Sequence, residues 1–147
     1  MIDASRGEIG YHELAKIMAS KGYSTVKPDI DQGVDMLAVK DNEIALIQIK
    51  TVIYTDGNTK KNITASGSKN GRLDVRYEGL NLVVLCMDKK LQRLYSLVFS
   101  PENIPSVQCL WVPKDSEQLD KYSEYKSNFK DLKFSSFGGS NMALTDF

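Results

Sequence analysis

Residues 33–51 read GVDMLAVKDNEIALIQIKT, two short apolar runs separated by Lys40, Asp41, Asn42 and Glu43. Runs rich in Val, Ile and Leu on either side of turn-forming residues predict a β-hairpin. Asp41 and Asn42 tolerate the backbone conformations of a tight turn. Centring the turn there pairs Val39 with Ile44, Leu37 with Leu46 and Asp35 with Gln48. Because side chains alternate along a strand, Asp35, Gln48 and Lys50 emerge on one face, at the end remote from the turn. Met36, Ala38, Ala45, Ile47 and Ile49 cover the other face, which predicts a hairpin buried on both sides. Charged groups at the rim of a buried sheet need a reason, since an unpaired buried charge is costly. Two reasons stay open on the residues alone. Asp35 and Lys50 can form an ion pair. Alternatively, Asp35 faces a hard divalent cation, with neutral oxygens from the Gln48 side chain and the Ile49 main chain.

Upstream, GEIGYHELAKIMASKGY predicts a helix. Ser5 is placed to cap it, Glu8 lies three residues on as in a capping box, and Gly22 ends it. Tyr11, Leu14, Ala15 and Met18 fall on one helical stripe. One turn back the stripe reaches Glu8, whereas Glu13 falls beside Lys16 and Ser20 on the wet side. Glu8 is therefore expected to point inward, with Glu13 as the fallback acid. His12, the one histidine, reads as a surface or capping residue. A short strand is expected in YSTVKP.

Downstream of the hairpin, residues 53–79 form a polar, glycine-rich stretch about five times a median connection of ~5 residues. Between Gly57 and Tyr77, Lys60, Lys61, Lys69, Arg72 and Arg76 face one acid, Asp74. The pattern KKNITASGSKNGRLDV suits a two-stranded ribbon turning at GSKNG. LNLVVLCMD and RLYSLVF then predict two strands around KKLQ, and PENIPSVQCLWVP an extended connection. DSEQLDKYSEYKSNFKDL places Leu119, Tyr122, Tyr125 or Lys126, and Phe129 at helical spacing, predicting a second helix. Helix, three strands, insertion, two strands and helix make an α/β domain with a central mixed sheet flanked by helices.

At 147 residues, the chain is expected to form one domain with a substantial core over 1–147. Residues 5–52 hold the helix and hairpin, 53–79 the insertion, and 80–147 the remaining strands, helix and an assembly region. The 19 basic and 19 acidic residues cancel, so a polyanionic partner has to be held by a local patch. Cys86 and Cys109 sit in apolar runs without metal-ligand spacing, as reduced core cysteines do. No stretch resembles a secretory leader or reaches the ~18 apolar residues of a membrane span, so no membrane partner and a cytoplasmic location are expected.

Asp35 followed by Gln48-Ile49-Lys50 resembles the Asp…(Glu/Asp)-x-Lys signature of the PD-(D/E)XK nuclease superfamily, with glutamine at the second acid. The helix RGEIGYHELAKIMASKGYSTVKP resembles the superfamily's N-terminal helix, which supplies a further acid, especially in archaeal-type Holliday-junction resolvases. A small chain with glutamine at that position and a basic insertion is most similar to the intron-encoded homing endonucleases of cyanobacterial transfer-RNA introns. The likeness covers residues 5–52 well and later strands loosely. It implies a restriction-endonuclease-like core and a Mg2+-dependent endodeoxyribonuclease, with Mn2+ able to substitute. Glu8, Asp35, Gln48 and Lys50 would be catalytic, and Asp35, Glu8, Gln48 and the Ile49 carbonyl would hold the metal.

Three departures shift these roles. The literal Pro28-Asp29 lies 19 residues before Gln48, too far to close a tight hairpin, so the metal acid is put at Asp35. Gln48 is a weaker ligand than a carboxylate, which moves weight onto Glu8. In the resolvases the helix acid stands near Tyr11, one turn on from Glu8.

The implied partner is double-stranded DNA, cut at a specific sequence to give a double-strand break. Lys60, Lys61, Asn62, Ser68, Lys69, Asn70, Arg72 and Arg76 offer phosphate and base contacts. One domain carries one site and cuts one strand, so a double-strand break implies a homo-oligomer, dimer or tetramer. Trp111 and the aromatics of YSEYKSNFKDLKFSSF are candidates for its interface. A structure-selective junction resolvase and an inactive DNA-binding relative are the alternatives.

Overall fold

The strand LNLVVLCM, β5 (Leu80–Met87), is buried at every position, which is the signature of a central strand covered on both faces. A computed structural model of the chain describes residues 3–28, 33–64, 79–107, 109–120 and 122–136. Around β5 runs a mixed sheet in the order β1-β2-β3-β5-β6, with β1 (Ser24–Val26), β2 (Met36–Lys40), β3 (Glu43–Ile53) and β6 (Arg93–Phe99). β1, β2 and β3 are antiparallel neighbours, β3 and β5 run parallel, and β5 and β6 are antiparallel. A two-residue strand, β8 (Ser135–Ser136), pairs with β3 at Glu43 and Ile44.

The hairpin register is the expected one, with Met36 opposite Ile47, Leu37 opposite Leu46 and Val39 opposite Ile44. Asp41 takes a left-handed conformation, φ 55°, as the turn requires. Met36, Ala38, Ala45 and Ile47 are fully buried beneath the single α-helix among the described residues, α1 (Asp3–Ser20).

α1 begins before Ser5, so Ser5 is an interior residue and not the cap. The C-terminal end is as expected: Tyr23 N–H donates to Met18 C=O, Gly22 N–H donates to Ala19 C=O, and Gly22 has φ 91°. This is the Schellman closure that glycine makes without steric cost.

The roll of α1 departs from the stripe read in the sequence. Its contact line is Gly10, Leu14 and Met18, all buried, and Glu8 is exposed. Gly10 is the cause. A Cβ built there would stand 1.9 Å from Thr51 Oγ1 and 3.2 Å from Ile49 Cγ2, so the helix seats on β3 where a side chain is missing. Glu13 is only 17% exposed and pairs with Lys16 at 3.4 Å and Arg93 at 3.9 Å.

The opposite face of the sheet is covered by a two-stranded sheet, β4 (Lys60–Thr64) with β7 (Cys109–Pro113). β4 pairs with β7, and the turn and second strand of the expected ribbon fall in residues 65–78, outside the described residues. Ile63, Leu110 and Val112 face inward and pack with Val52, Leu82, Val84, Leu97 and Phe99. The hydroxyls of Tyr54, just past the end of β3, and Tyr95, on β6, donate to the carbonyls of Val112 and Pro113. Residues 65–78, with Ser68, Lys69, Asn70, Arg72 and Arg76, lie outside the described residues, as does Asp29.

The second predicted helix does not form. Residues 116–118, 123–125 and 129–131 make separate single 3-10 turns. Leu119 joins the core beneath β4 and β7, Tyr125 packs on Phe99, and Leu132 joins the core beneath α1. One helical stripe cannot serve both faces of a sheet. Among the described residues no helix is long and apolar enough to cross a membrane, and Cys86 and Cys109 are free thiols, the first buried and the second partly so.

Candidate functional site

β2 stops at Met36 while β3 runs on to Ile53, so the hairpin ends unevenly and Asp35 sits where the ladder changes form. Asp35 N–H donates to Ile47 C=O at 2.9 Å. The Ile49 N–H then bonds Asp35 Oδ2 at 2.8 Å, in place of a main-chain carbonyl. A charge-assisted bond of this kind fixes the carboxylate plane relative to β3.

Gln48 follows from the register. Met36 opposite Ile47 puts Asp35 opposite Gln48, and alternation turns Gln48 and Lys50 to the side shared with Val52, away from α1. Gln48 is 7% exposed. Gly33, at φ 96°, passes close enough that an added Cβ would lie 4.0 Å from Gln48 Nε2. The structure thus brings together Asp35, Gln48, Lys50 and the Ile49 main chain. Its oxygen donors, one carboxylate and one amide beside main-chain carbonyls, suit a hard divalent cation that keeps part of its water shell.

The helix acid is placed differently. α1 lies over the face that carries Ile47 and Ile49, and Glu8 is exposed there. Among the described residues no group of three or more His, Cys, Asp or Glu side chains converges. His12 is exposed, in line with a surface role.

Beyond Lys50 the free end of β3 floors a cleft of about 160 Å3, walled by Arg6 of α1 and by Lys61, Asn62 and Ile63 of β4. Lys61 shares the inward side with Ile63, whereas Lys60 and Asn62 alternate to the outer side of the two-stranded sheet. Trp111 stands opposite Asn62 and is 56% exposed. Arg6 went unnoticed in the sequence because the stripe count assigns it to solvent. Its place over β3 follows from Gly10, one turn on, where α1 touches Thr51.

No protein-family model matches the chain, and no curated protein matches it by sequence. Among solved structures, the chain is similar to a bacterial homing endonuclease, I-Ssp6803I, with a TM-score of 0.60 at 12% identity, over 85% of this chain and 86% of that one. The two chains share a fold over most of their lengths.

Proposed function

We propose that the chain is a sequence-specific, divalent-metal-dependent DNA endonuclease of homing or restriction-like type, of PD-(D/E)XK character, with its reaction centre at Asp35, Gln48 and Lys50. The observation that carries this reading is their convergence on one sheet face, with Asp35 oriented by the Ile49 amide. The fold likeness to a homing endonuclease supports it.

The reaction is phosphodiester hydrolysis. A water oxygen bonds to phosphorus, the bond from phosphorus to one ester oxygen breaks, and that oxygen leaves as a hydroxyl after taking a proton. Lys50, adjoining the cleft, offsets the charge that grows on the phosphoryl oxygens and orients the attacking water. Asp35, its plane held by the Ile49 amide, provides an anionic anchor beside β3. Magnesium, or manganese in its place, would be held by Asp35, the Gln48 side-chain oxygen and the Ile49 carbonyl, and when bound would supply Lewis-acid polarisation of the phosphate and a more acidic water. The helix acids expected beside them stand elsewhere: Glu8 is exposed on the α1 side of the sheet, and Glu13 is engaged by Lys16 and Arg93.

A double-strand break requires two such sites, so the acting form is a homo-oligomer on duplex DNA. The test offers magnesium or manganese and a plasmid library of random inserts to the parent, Asp35→Ala and Lys50→Ala proteins. The expected result is metal-dependent cutting at recurrent sequences by the parent alone. Cutting of four-way junctions but no duplex would move the assignment to a resolvase. Salt-sensitive binding without cutting would leave an inactive DNA-binding relative, a reading that Gln48 motivates and that Asp35 and Lys50 argue against.

A further inference from the structure

We infer that the cleft between α1 and β4 is a subsite for a DNA phosphate next to the scissile one, with Arg6 and Lys61 as its clamp. The identity of the anion rests on the endonuclease reading. Three of the residues lining the cleft, Arg6, Lys50 and Lys61, are basic, and none is acidic. Lys50 has an interaction of its own; Arg6 and Lys61, whose like charges stand on facing walls of one concavity, favour the entry of an anion. Among the described residues, neither Arg6 nor Lys61 has an ion-pair or hydrogen-bond partner to answer its charge.

The three come from distant parts of the chain and are brought together by separate features. Gly10 seats α1 against Thr51 and so carries Arg6 over the end of β3. Pairing of β4 with β7 turns Lys61 inward on the other side. β3 contributes Lys50 and outruns β2, so the cleft opens at a strand end and not inside the sheet. Lys50 belongs both to the cleft and to the reaction centre, which makes the two continuous. A phosphodiester chain with one phosphate at Asp35 and Lys50 presents its neighbour to Arg6 and Lys61. Arg6 offers a fork for two phosphate oxygens and Lys61 a point charge.

The experiment measures binding of the whole chain to a short mixed-sequence duplex across a range of salt, with EDTA present to prevent cutting. The parent, Arg6→Gln, Lys61→Gln, the double variant and Arg6→Lys are compared, with Lys90→Gln on the β5–β6 turn as a control for lost charge. Each phosphate contact contributes a slope of about −0.9 in the log–log salt dependence. Arg6→Gln and Lys61→Gln should each flatten the slope by about 0.9 and the double variant by about 1.8. Arg6→Lys should restore it, and Lys90→Gln should leave it at the parent value. Arg6 is exposed and Lys61 partly so, so melting temperatures should stay at the parent's, which separates lost contact from lost folding.

If the parent binds and cuts DNA while Arg6→Gln and Lys61→Gln keep its slope, the subsite is overturned and the endonuclease reading stands. If the parent shows no salt-dependent duplex binding, both fall. Inorganic phosphate raising the melting temperature as much as duplex does would assign the cleft to a free anion and also overturn the proposal.

Discussion

Asp35 Oδ2 accepts the Ile49 amide hydrogen at 2.8 Å, so one carboxylate both ends a β-ladder and forms the acidic part of the proposed reaction centre. These duties separate by substitution. Asp35→Asn keeps an oxygen that can accept from Ile49 and removes the charge. It should melt close to the parent yet lose cleavage by at least ~100-fold, the scale of losing one aimed electrostatic group. Asp35→Ala should lose cleavage and also ~1–3 kcal/mol of stability, for an amide left without its acceptor. Melting curves beside single-turnover rates decide this. Asn retaining near-parent activity would remove Asp35 from the chemistry.

Gly10 governs where α1 lies. Gly10→Ala should gain up to ~1 kcal/mol in helix propensity and lose ~1–3 kcal/mol through overpacking against Thr51. The net expectation is a loss, since the contact at 1.9 Å is with the stiff, β-branched Thr51. Gly10→Ala with Thr51→Ala should recover most of it, giving a coupling in the double-mutant cycle that two independent sites would not show. If Gly10→Ala alone raises the melting temperature, the helix has room that this packing denies it.

How far the sequence reached is visible in these same residues. Period-two alternation and a two-residue turn are local signals, so the register joining Asp35 to Gln48 and Lys50 was legible, as were β5 and β6. The roll of α1 was not, because a stripe count scores side chains and Gly10 acts by lacking one. β7 reads as a connection because its partner, β4, lies about fifty residues away and no local period reports such a pairing. Leu119, Tyr122, Tyr125 and Phe129 keep helical spacing, yet Leu119 belongs to one core and Phe129 packs on the other. Tertiary packing overrode a pattern that one helix could not satisfy. Glu8 and Glu13 exchanged exposure for the same reason that α1 rolled.

Tyr54, Cys86 and Tyr95 share the buried interior beneath β4 and β7, and burial pushes the Cys86 thiol up to about 12 from its usual 9.0. Burial, with Cys86 beside them, raises both tyrosine hydroxyls as well. The unfolded chain therefore ionises these groups at lower pH than the folded one. Their stabilisation is complete below pH ~9 and declines as pH rises, at up to ~1.4 kcal/mol per unit for each group. Melting temperature should fall progressively above pH 9, and Cys86→Ala should remove the earliest part of that fall. At pH 8 Cys109 should alkylate before Cys86. Tyr95→Phe should cost ~1–3 kcal/mol by stranding the Pro113 carbonyl. A flat alkaline profile would contradict this account.

Gln48 is the neutral member of the proposed centre, and Gln48→Glu tests whether a cation belongs there. The introduced carboxyl would be buried, since Gln48 is 7% exposed, and would lie across the ladder from Asp35. Burial and a like charge both raise its folded pKa above the unfolded ~4.3. In EDTA the variant should match the parent near pH 4 and fall increasingly below it as pH rises, because the unfolded chain releases that proton first. Magnesium or manganese should reverse the loss, since a ligand bound at a hundred times its Kd stabilises the folded state by ~2.7 kcal/mol. The variant's melting temperature should therefore climb more steeply with metal than the parent's, and half-maximal cleavage should need less metal. Asp35→Asn in the same background should abolish the metal response. If metal stabilises parent and variant equally, or neither, the oxygen donors of Asp35 and Gln48 do not share a cation.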